Sequence, residues 1–542
     1  MAADAPSVAA RRAFGTPRLI RIAPGLTLAI LLLPIVSGLS GTLLPAFDRL
    51  PALGGVELGL DGWRALFAAP ELPGAIALSL SSGIAATAVA LLLALGFCAA
   101  THNTRLSRAL RPMLAPLLSL PPAAVAIGFA FLVAPSGWTM RLLSPWAIGG
   151  DRPPNYLLPQ DPWGLALTAG LVVRELPYLL LMAMAALGQF PADRYLAIGR
   201  SLGYGPVAAW IKLVMLLVYR QIRLPIFAVL AYSLSVVDIA LILGPSTPPP
   251  LAPLVLRWFN DPDLAMRYQA SAGAILQLLL VAGAIALWCG AERLAHRPWR
   301  RFVANGLRHL AGRAGRIAIA ALGLVALLAS AFAIAGMLIW SVAERWRFPD
   351  ALPERWSLLG WSERLGDVAP IMATTAIVAF FAASVALVLS LACLENERRR
   401  HRGMTTRGLW IVYLPLLLPQ ISFLFGAQQL FIRLGIDGGI VAVAWSHLLF
   451  VLPYVFLTLA DPYRTVDERY RRAATCLGAG PLRVFLAVML PLIARPAAIA
   501  FAIGAAVSIA QYLPTLFAGA GRVTTLTTEA VGLSAGGDRR IV

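Results

Sequence analysis

The sequence is poor in charged residues and nearly devoid of lysine. Only 13% of its 542 residues are Asp, Glu, Lys or Arg, whereas about 25% is usual for a soluble domain. Lys212 is the single lysine. A P-loop that binds nucleotide phosphates ends in Gly-Lys-Ser/Thr, but Lys212 lies between Ile211 and Leu213. The chain therefore cannot hydrolyse ATP through a P-loop of its own.

Cysteine and histidine are too scarce and too scattered to indicate a disulfide framework or a metal site. The five histidines show no ligand spacing. The cysteines form no C-x-x-C pair; they are Cys98, Cys289, Cys393 and Cys476. No group of residues supports nucleophilic, metal or acid-base catalysis. We therefore expect a chain that is not an enzyme and binds no cofactor itself.

Apolar sequence is abundant instead. The chain is 59% apolar with a mean hydropathy of +0.77, and apolar stretches of about 20 residues are long enough to cross a bilayer as helices. We predict an all-α, polytopic membrane bundle with about eleven spans. The predicted spans are 24–46, 73–100, 114–134, 163–188, 224–243, 266–290, 317–343, 368–393, 408–432, 439–460 and 496–517.

The positive charge has a simpler explanation than nucleic-acid binding. The chain has 45 basic and 26 acidic residues, and most of the basic ones fall in segments that face the cytoplasm if the N-terminus is inside. The positive-inside rule accounts for that asymmetry. Arg11 and Arg12 precede the first span, which lacks a convincing cleavage site, so we expect a retained span. We predict a multi-pass protein of the bacterial inner membrane with a cytoplasmic N-terminus and no nucleic-acid partner.

A short polar segment occurs twice in the chain. Residues 193–206 read DRYLAIGRSLGYGP, and residues 468–481 read ERYRRAATCLGAGP. The acid, the Arg-Tyr pair, a leucine, two glycines and a proline keep one offset without a gap. Glycine permits a tight turn and proline is well placed to begin a helix. Each copy therefore predicts a polar helix, a turn and a second helix that returns to the bilayer.

Further matches in the same order indicate that the whole chain is duplicated. Leu120-Pro121 corresponds to Leu418-Pro419, and Leu176-Pro177-Tyr178 corresponds to Leu452-Pro453-Tyr454. We predict two parallel repeats related by an axis along the membrane normal. The predicted boundaries are 1–290 for the first repeat with its loop at 189–223, 291–316 for a basic linker, and 317–542 for the second repeat with its loop at 461–495.

The second repeat is predicted to lack one span. On the offset of the polar segments, Arg267 at the start of span six corresponds to Val542, the last residue. Either this half has five spans natively or a twelfth is lost by truncation, and we favour truncation. The segment 518–542 is then expected to be an extracytoplasmic loop.

The repeated segment resembles a known signature. Ala473-Ala474, Gly478 and, nine residues later, Val488-Met-Leu490-Pro491 resemble the EAA loop of ABC-importer permeases. The double length is similar to fused permeases of the thiamine, ferric-iron and sulfate group and of the Ynj type. Two features depart from the pattern: Arg472 stands at the family's glutamate position, and the first copy reads Ala197-Ile198-Gly199.

The resemblance implies that both loops are coupling helices that dock on a cytosolic ABC ATPase, present in two copies, which would bind ATP and Mg²⁺. It also implies a periplasmic solute-binding protein and a small-molecule solute that no residue here identifies. The alternative is that the loops are ordinary amphipathic cytosolic segments. The expected coupling residues are Asp193, Arg194, Tyr195, Ala197, Gly199, Gly203, Gly205, Pro206, Glu468, Arg469, Tyr470, Ala473, Ala474, Gly478, Gly480 and Pro481.

Polar residues inside predicted spans are candidates for the translocation pathway, because such residues are costly in a bilayer. They are Arg174, Glu175, Asp238, Gln420 and Gln511. Interhelical hydrogen bonding that merely holds the bundle is the alternative. At the level of the whole protein, the alternative is a secondary active transporter with two parallel six-helix halves, which would couple to an ion gradient through Glu175 and Asp238.

Overall fold

A computed structural model describes residues 18–144, 152–310, 312–400, 403–536 and 540–542. Arg11 and Arg12, which support the predicted orientation of the N-terminus, lie outside these residues. The described chain is almost wholly helical, so the predicted all-α fold is confirmed. A helix satisfies its own backbone hydrogen bonds, as a segment within the hydrocarbon layer must.

The described residues up to 304 form fourteen helices, with a 3₁₀ turn at Pro51–Leu53 and a π-helix at Trp210–Val214. They are α1 (Arg18–Ala46), α2 (Asp61–Ala68), α3 (Leu72–Thr101), α4 (Arg105–Ser119), α5 (Pro122–Val133), α6 (Trp138–Leu143), α7 (Leu165–Leu187), α8 (Ala192–Ser201), α9 (Pro206–Ala209), α10 (Met215–Gln221), α11 (Arg223–Ser235), α12 (Asp238–Leu243), α13 (Leu251–Phe259) and α14 (Met266–Ala304).

The second part begins with α15 (Arg313–Ser341) and a short antiparallel hairpin, β1 (Ala343–Arg345) and β2 (Arg355–Trp356), which pairs Ala343 with Trp356. A second π-helix lies at Phe485–Met489. The remaining helices are α16 (Leu359–Arg400), α17 (Thr406–Leu417), α18 (Ile421–Arg433), α19 (Ile440–Arg464), α20 (Glu468–Cys476), α21 (Pro481–Val484), α22 (Leu490–Leu492), α23 (Ala494–Ile509), α24 (Leu513–Gly519) and α25 (Leu526–Ser534).

Eight of the described helices are long and apolar enough to cross a membrane, and three bent helix pairs raise the number of candidate spans to eleven. The predicted polytopic bundle is therefore confirmed. Two of these pairs are Pro206–Gln221 with Arg223–Ser235 and Pro481–Leu492 with Ala494–Ile509, which bend by 66° and 75°. Each of these two pairs begins at the proline that ends a repeated polar segment.

Spans three and nine are both broken at their Leu-Pro positions. α4 ends at Ser119 and α5 begins at Pro122, while α17 ends at Leu417 and α18 begins at Ile421. Proline lacks the N–H that would continue a helix. By contrast, Pro177, Pro415 and Pro453 lie inside continuous helices.

Three expectations need correction. Spans five and eleven are interrupted, at Val236–Val237 and at 510–512 respectively. The segment 518–542, predicted as a loop, contains α25. The basic linker 291–316 is mostly helical, since α14 continues to Ala304 and α15 begins at Arg313.

The chain divides into two compact units. The smaller unit comprises residues 1–38, 372–415 and 427–525, and the larger unit comprises 39–371, 416–426 and 526–542. Each unit contains segments of both predicted repeats. The two compact units therefore do not coincide with the two repeats. The repeat boundaries thus remain a prediction.

Small residues allow helices to pack closely within each unit. In the larger unit, Gly83 of α3 lies against Leu234 of α11, and Gly128 of α5 lies against the backbone of Ala333 in α15. In the smaller unit, Gly504 of α23 lies against Val455 of α19. Close approach through glycine is typical of helix packing in membranes, where van der Waals contact contributes much of the stabilisation.

We predict that Gly128→Ala destabilises the larger unit by about 1–3 kcal/mol, because the new Cβ would force two helices apart. It would lie 2.6 Å from the carbonyl oxygen of Ala333, which is backbone and cannot rotate away. Thermal unfolding in detergent should show a lower Tm. Gly283→Ala in α14 is the matched control, since its Cβ would meet no atom of the described residues within 4 Å. An equal loss of Tm in both variants would contradict the packing argument.

Candidate functional site

The two repeated polar segments fold in the same way, which confirms the predicted helix, turn and second helix. α8 is followed by Gly203 with φ of +82°, and α20 is followed by Gly478 with φ of +80°. Residues other than glycine adopt this left-handed conformation at a steric cost. Each glycine therefore ends its helix and reverses the chain.

The backbone hydrogen bonds of both turns form the same Schellman motif. Gly203 N–H donates to Arg200 O (2.9 Å), and Tyr204 N–H donates to Gly199 O (3.0 Å). In the second copy Gly478 N–H donates to Thr475 O (2.9 Å), and the N–H of residue 479 donates to the carbonyl of residue 474 (3.1 Å). These bonds satisfy carbonyl groups that a helix end would otherwise leave unpaired. The turn is thus a defined structure.

Proline begins the next helix in both copies. Gly205 and Gly480 are the N-cap residues, with extended backbone, and Pro206 and Pro481 occupy the first turn. Four residues later each helix contains a five-residue π-helical segment, and each then bends. Segments of π-helix are frequent at functional sites. The duplication thus extends to backbone irregularities that the sequence comparison did not reveal.

An apolar stripe on each polar helix is exposed. In α8 it consists of Tyr195, Ile198 and Leu202, and in α20 of Tyr470 and Leu477, with exposed Ala473 between them. The spacing i, i+3, i+7 places these side chains on one helix face. Leu202 is 58% and Leu477 88% exposed. Tyr195, Tyr470 and Ala473 are among the predicted coupling residues, but sequence reasoning missed Ile198, Leu202 and Leu477, although their spacing was visible in both copies.

The other predicted coupling residues divide between exposed and inward positions. Gly199 is buried, and a Cβ there would lie 2.9 Å from the Cβ of Ala209, so its close approach is to the following helix of the same chain. Ala474 is half-buried. Gly205 and Glu468 are half-buried as well, and the exposed members are Asp193, Arg194, Ala197, Gly203, Pro206, Arg469, Ala473, Gly478, Gly480 and Pro481.

The acid at the start of each polar helix ties it to the end of a membrane helix. Asp193 accepts from Asn103 Nδ2 (2.6 Å) and pairs with His102 Nε2 (3.0 Å), just beyond α3. These His102 and Asn103 hydrogen bonds lower the pKa of Asp193 despite some desolvation. Glu468 accepts from Arg398 Nε (2.7 Å), near the end of α16. Each acid also lies at a helix N-terminus, where negative charge is favourable.

Arg398 holds Glu468 ionised. Partial burial acts to raise the pKa of Glu468, but the hydrogen bond and charge of Arg398, aided by Arg471 Nε at 2.9 Å, outweigh it, and the pKa lies below its ordinary value. A lowered pKa means that this ion pair persists at any pH above the ordinary range of a glutamate. The tether is therefore intact at neutral pH.

Lys212 has a structural role that composition alone did not suggest. Its side chain is 7% exposed and lies in the π-helix after the first turn. Nζ donates to Asn305 O (2.7 Å) and Asn305 Oδ1 (2.8 Å), and it lies 5.1 and 5.3 Å from the ring centres of Tyr204 and Phe302. Carbonyl oxygens and aromatic faces both stabilise a buried cation. Lys212 thus anchors the basic linker to the first repeated segment.

Three of the predicted pathway residues are brought together within the larger unit. Arg174 and Glu175 are adjacent in α7, and Asp238 begins α12. Arg174 interacts electrostatically with both carboxylates, which are buried. Such a group can be a polar element of a pathway or a structural ion cluster.

The other two pathway residues lie elsewhere. Gln420 is half-buried at the start of α18, and Gln511 is buried in the break after α23. A cavity of about 1050 Å³ in the larger unit is lined by α5, α15, the start of α16 and α25, and none of the five residues, all of them described, lines it.

His447 has partners for both ring nitrogens, as expected of a satisfied core histidine. Nδ1 lies 2.8 Å from Ser508 Oγ and Nε2 lies 2.8 Å from Thr515 Oγ1, and all three side chains are buried. Within the residues that the structure describes, no group of three or more His, Cys, Asp or Glu side chains could hold a metal ion.

Comparison with known proteins identifies the family. Residues 408–535, which include the second repeated segment, match the family described as "Binding-protein-dependent transport system inner membrane component". The inner membrane ABC transporter permease protein YnjC of Escherichia coli strain K12 is 32% identical over 95% of this chain and 92% of its own length. The chain belongs to the ABC transporter permeases. It is accordingly a multi-pass transport subunit.

Other permeases match a smaller part of the chain. The spermidine/putrescine transport system permease protein PotC of Escherichia coli strain K12 is 32% identical over 26% of this chain and 52% of its own length. The putrescine transport system permease protein PotI of the same strain is 28% identical over 26% of this chain and 52% of its own length. No solved structure matches the permease.

We predict that Lys212→Met releases the linker, because the two charge-assisted hydrogen bonds to Asn305 are lost. Trypsin should then cleave after Arg308 about tenfold faster, since cleavage follows local opening. Arg220→Met is the matched control: this exposed residue lies on α10, close in sequence to Lys212. Unchanged cleavage in Lys212→Met would show that the anchor does not hold the linker.

Proposed function

We propose that this permease is the membrane subunit of an ATP-driven importer and that its two polar helices, α8 and α20, dock on two copies of a separate cytosolic ABC ATPase. ATP and Mg²⁺ would be bound by that partner chain. The observation that carries the proposal is the exposed apolar stripe held in the same geometry in both copies, Tyr195, Ile198 and Leu202 in one and Tyr470, Ala473 and Leu477 in the other. Apolar side chains on a polar, exposed helix are suited to a groove in a partner.

The turns and tethers support a route by which ATPase closure moves the membrane helices. A push on α8 would be transmitted to the end of α3 through Asp193, and a push on α20 to the end of α16 through Glu468. The bends after the two π-helices supply hinges at which the spans can move. Alternation between outward-open and inward-open states would follow from such rigid-body movement.

The proposal also gives the orientation of the protein in the membrane and the side on which each partner binds. The N-terminus and both polar helices would face the cytoplasm in a bacterial inner membrane, and a periplasmic solute-binding protein would deliver the solute to the opposite face. The two permease repeats would be 1–290 and 317–542, joined by the linker 291–316. Membership of a family named for binding-protein-dependent transport supports these partners.

We predict that Leu202→Glu with Leu477→Glu abolishes co-purification of the ATPase and leaves the permease folded. A carboxylate placed in an apolar groove loses solvation without gaining a partner, so recovery should fall about tenfold or more. Neither leucine is buried, so the variant should keep the wild-type Tm.

Leu294→Glu is the matched control, because Leu294 is 81% exposed on the linker end of α14, away from both stripes in sequence. The single variants show whether one helix suffices for binding. Undiminished recovery of the ATPase by the double variant would contradict docking through these helices.

A further inference from the structure

The two turns have different surroundings. A Cβ added at Gly478 or Gly480 would meet no atom of the described residues within 4 Å. In the first copy, a Cβ at Gly203 would lie 3.4 Å from Arg308 Nη1, and one at Gly205 would lie 3.1 Å from His309 Nδ1. Part of the linker thus lies against the turn of the first copy.

A backbone hydrogen bond holds the linker against the first turn. The N–H of Gly205, the N-cap of α9, donates to Arg308 O at 2.8 Å. Asn305, three residues earlier in the linker, is held by Lys212. Two attachments therefore fix the short segment 305–309 beside the first turn. The second copy has Ala487 at the position of Lys212, and an alanine side chain cannot form such an anchor.

The linker side chains at this place remain available to a partner. Leu307, Arg308 and His309 are all exposed, next to the turn that follows Leu202. Arg308 adds a permanent positive charge beside the apolar stripe of α8. The first copy therefore presents a stripe with a basic border supplied by the linker, whereas the exposed arginines beside the second stripe, Arg469 and Arg472, belong to its own helix.

We propose that segment 305–309 is part of the first docking surface and that the ATPase contacts Arg308 and His309 there, through acidic side chains at the border of its groove. This proposal rests on the proposed function. It makes the two docking surfaces unequal, because residues of the linker add ionic contacts to the surface that contains α8.

A cross-linking experiment separates the two surfaces. Cysteine is placed at Leu202 or at Leu477, one position per chain, in a background in which the four native cysteines are replaced by serine. Each chain is co-expressed with the ATPase that co-purifies with the wild-type permease. A short cross-linker with one thiol-reactive end and one photoreactive end then reports how much ATPase occupies each surface.

Arg308→Ala with His309→Ala should lower the cross-linked yield from position 202 about fivefold at limiting ATPase, because two charged or polar contacts at the border of an interface are lost. The yield from position 477 should not change. Arg297→Ala, an exposed arginine of the linker that lies in α14, is the matched control and should change neither yield.

Each other outcome has a distinct meaning. Equal yields from position 202 with and without the double substitution would overturn the composite surface while leaving docking intact. A higher yield from position 202 would also overturn it, since the segment would then cover the dock. Absence of cross-linking from both positions in the otherwise unsubstituted chain would overturn the proposed function itself.

Discussion

The architecture of the candidate site depends on one backbone constraint, a left-handed residue at the end of each polar helix. Gly203 and Gly478 adopt φ near +80° and close the same Schellman hydrogen bonds. A side chain there would oppose that conformation. Because the turn is so short, each exposed helix is joined directly to the bent span that follows. The orientation of the exposed helix therefore fixes the direction in which that span begins.

The tethers give these helices a second attachment. Asp193 and Glu468 occupy equivalent sequence positions but use different partners, an asparagine and a histidine in one copy and an arginine in the other. Both connect a polar helix to the end of a long membrane helix. Movement at either helix would thus reach the bundle by two routes, through the bent span and through the tether. The duplication preserves this arrangement although the chemistry of the tether has changed.

Much of the fold could be predicted because hydropathy and turn chemistry are local properties. The spans follow from apolar length, and the helix, turn and helix follow from the glycine and proline spacing. The breaks at Val236–Val237 and 510–512 could not be predicted, since an apolar run reads the same whether or not its helix is interrupted. The anchor of Lys212 on Asn305 joins residues far apart in sequence, which no periodicity indicates. The inward position of Gly199 likewise depends on how the following helix packs.

Cys476 offers the most direct measurement of the central claim, that the repeated helices face the cytoplasm. It is the exposed native cysteine at the end of α20. In a variant that keeps it alone, a membrane-impermeant maleimide should label inside-out vesicles and leave right-side-out vesicles unlabelled until detergent is added. Labelling of intact right-side-out vesicles would place this helix outside the cell and contradict the account.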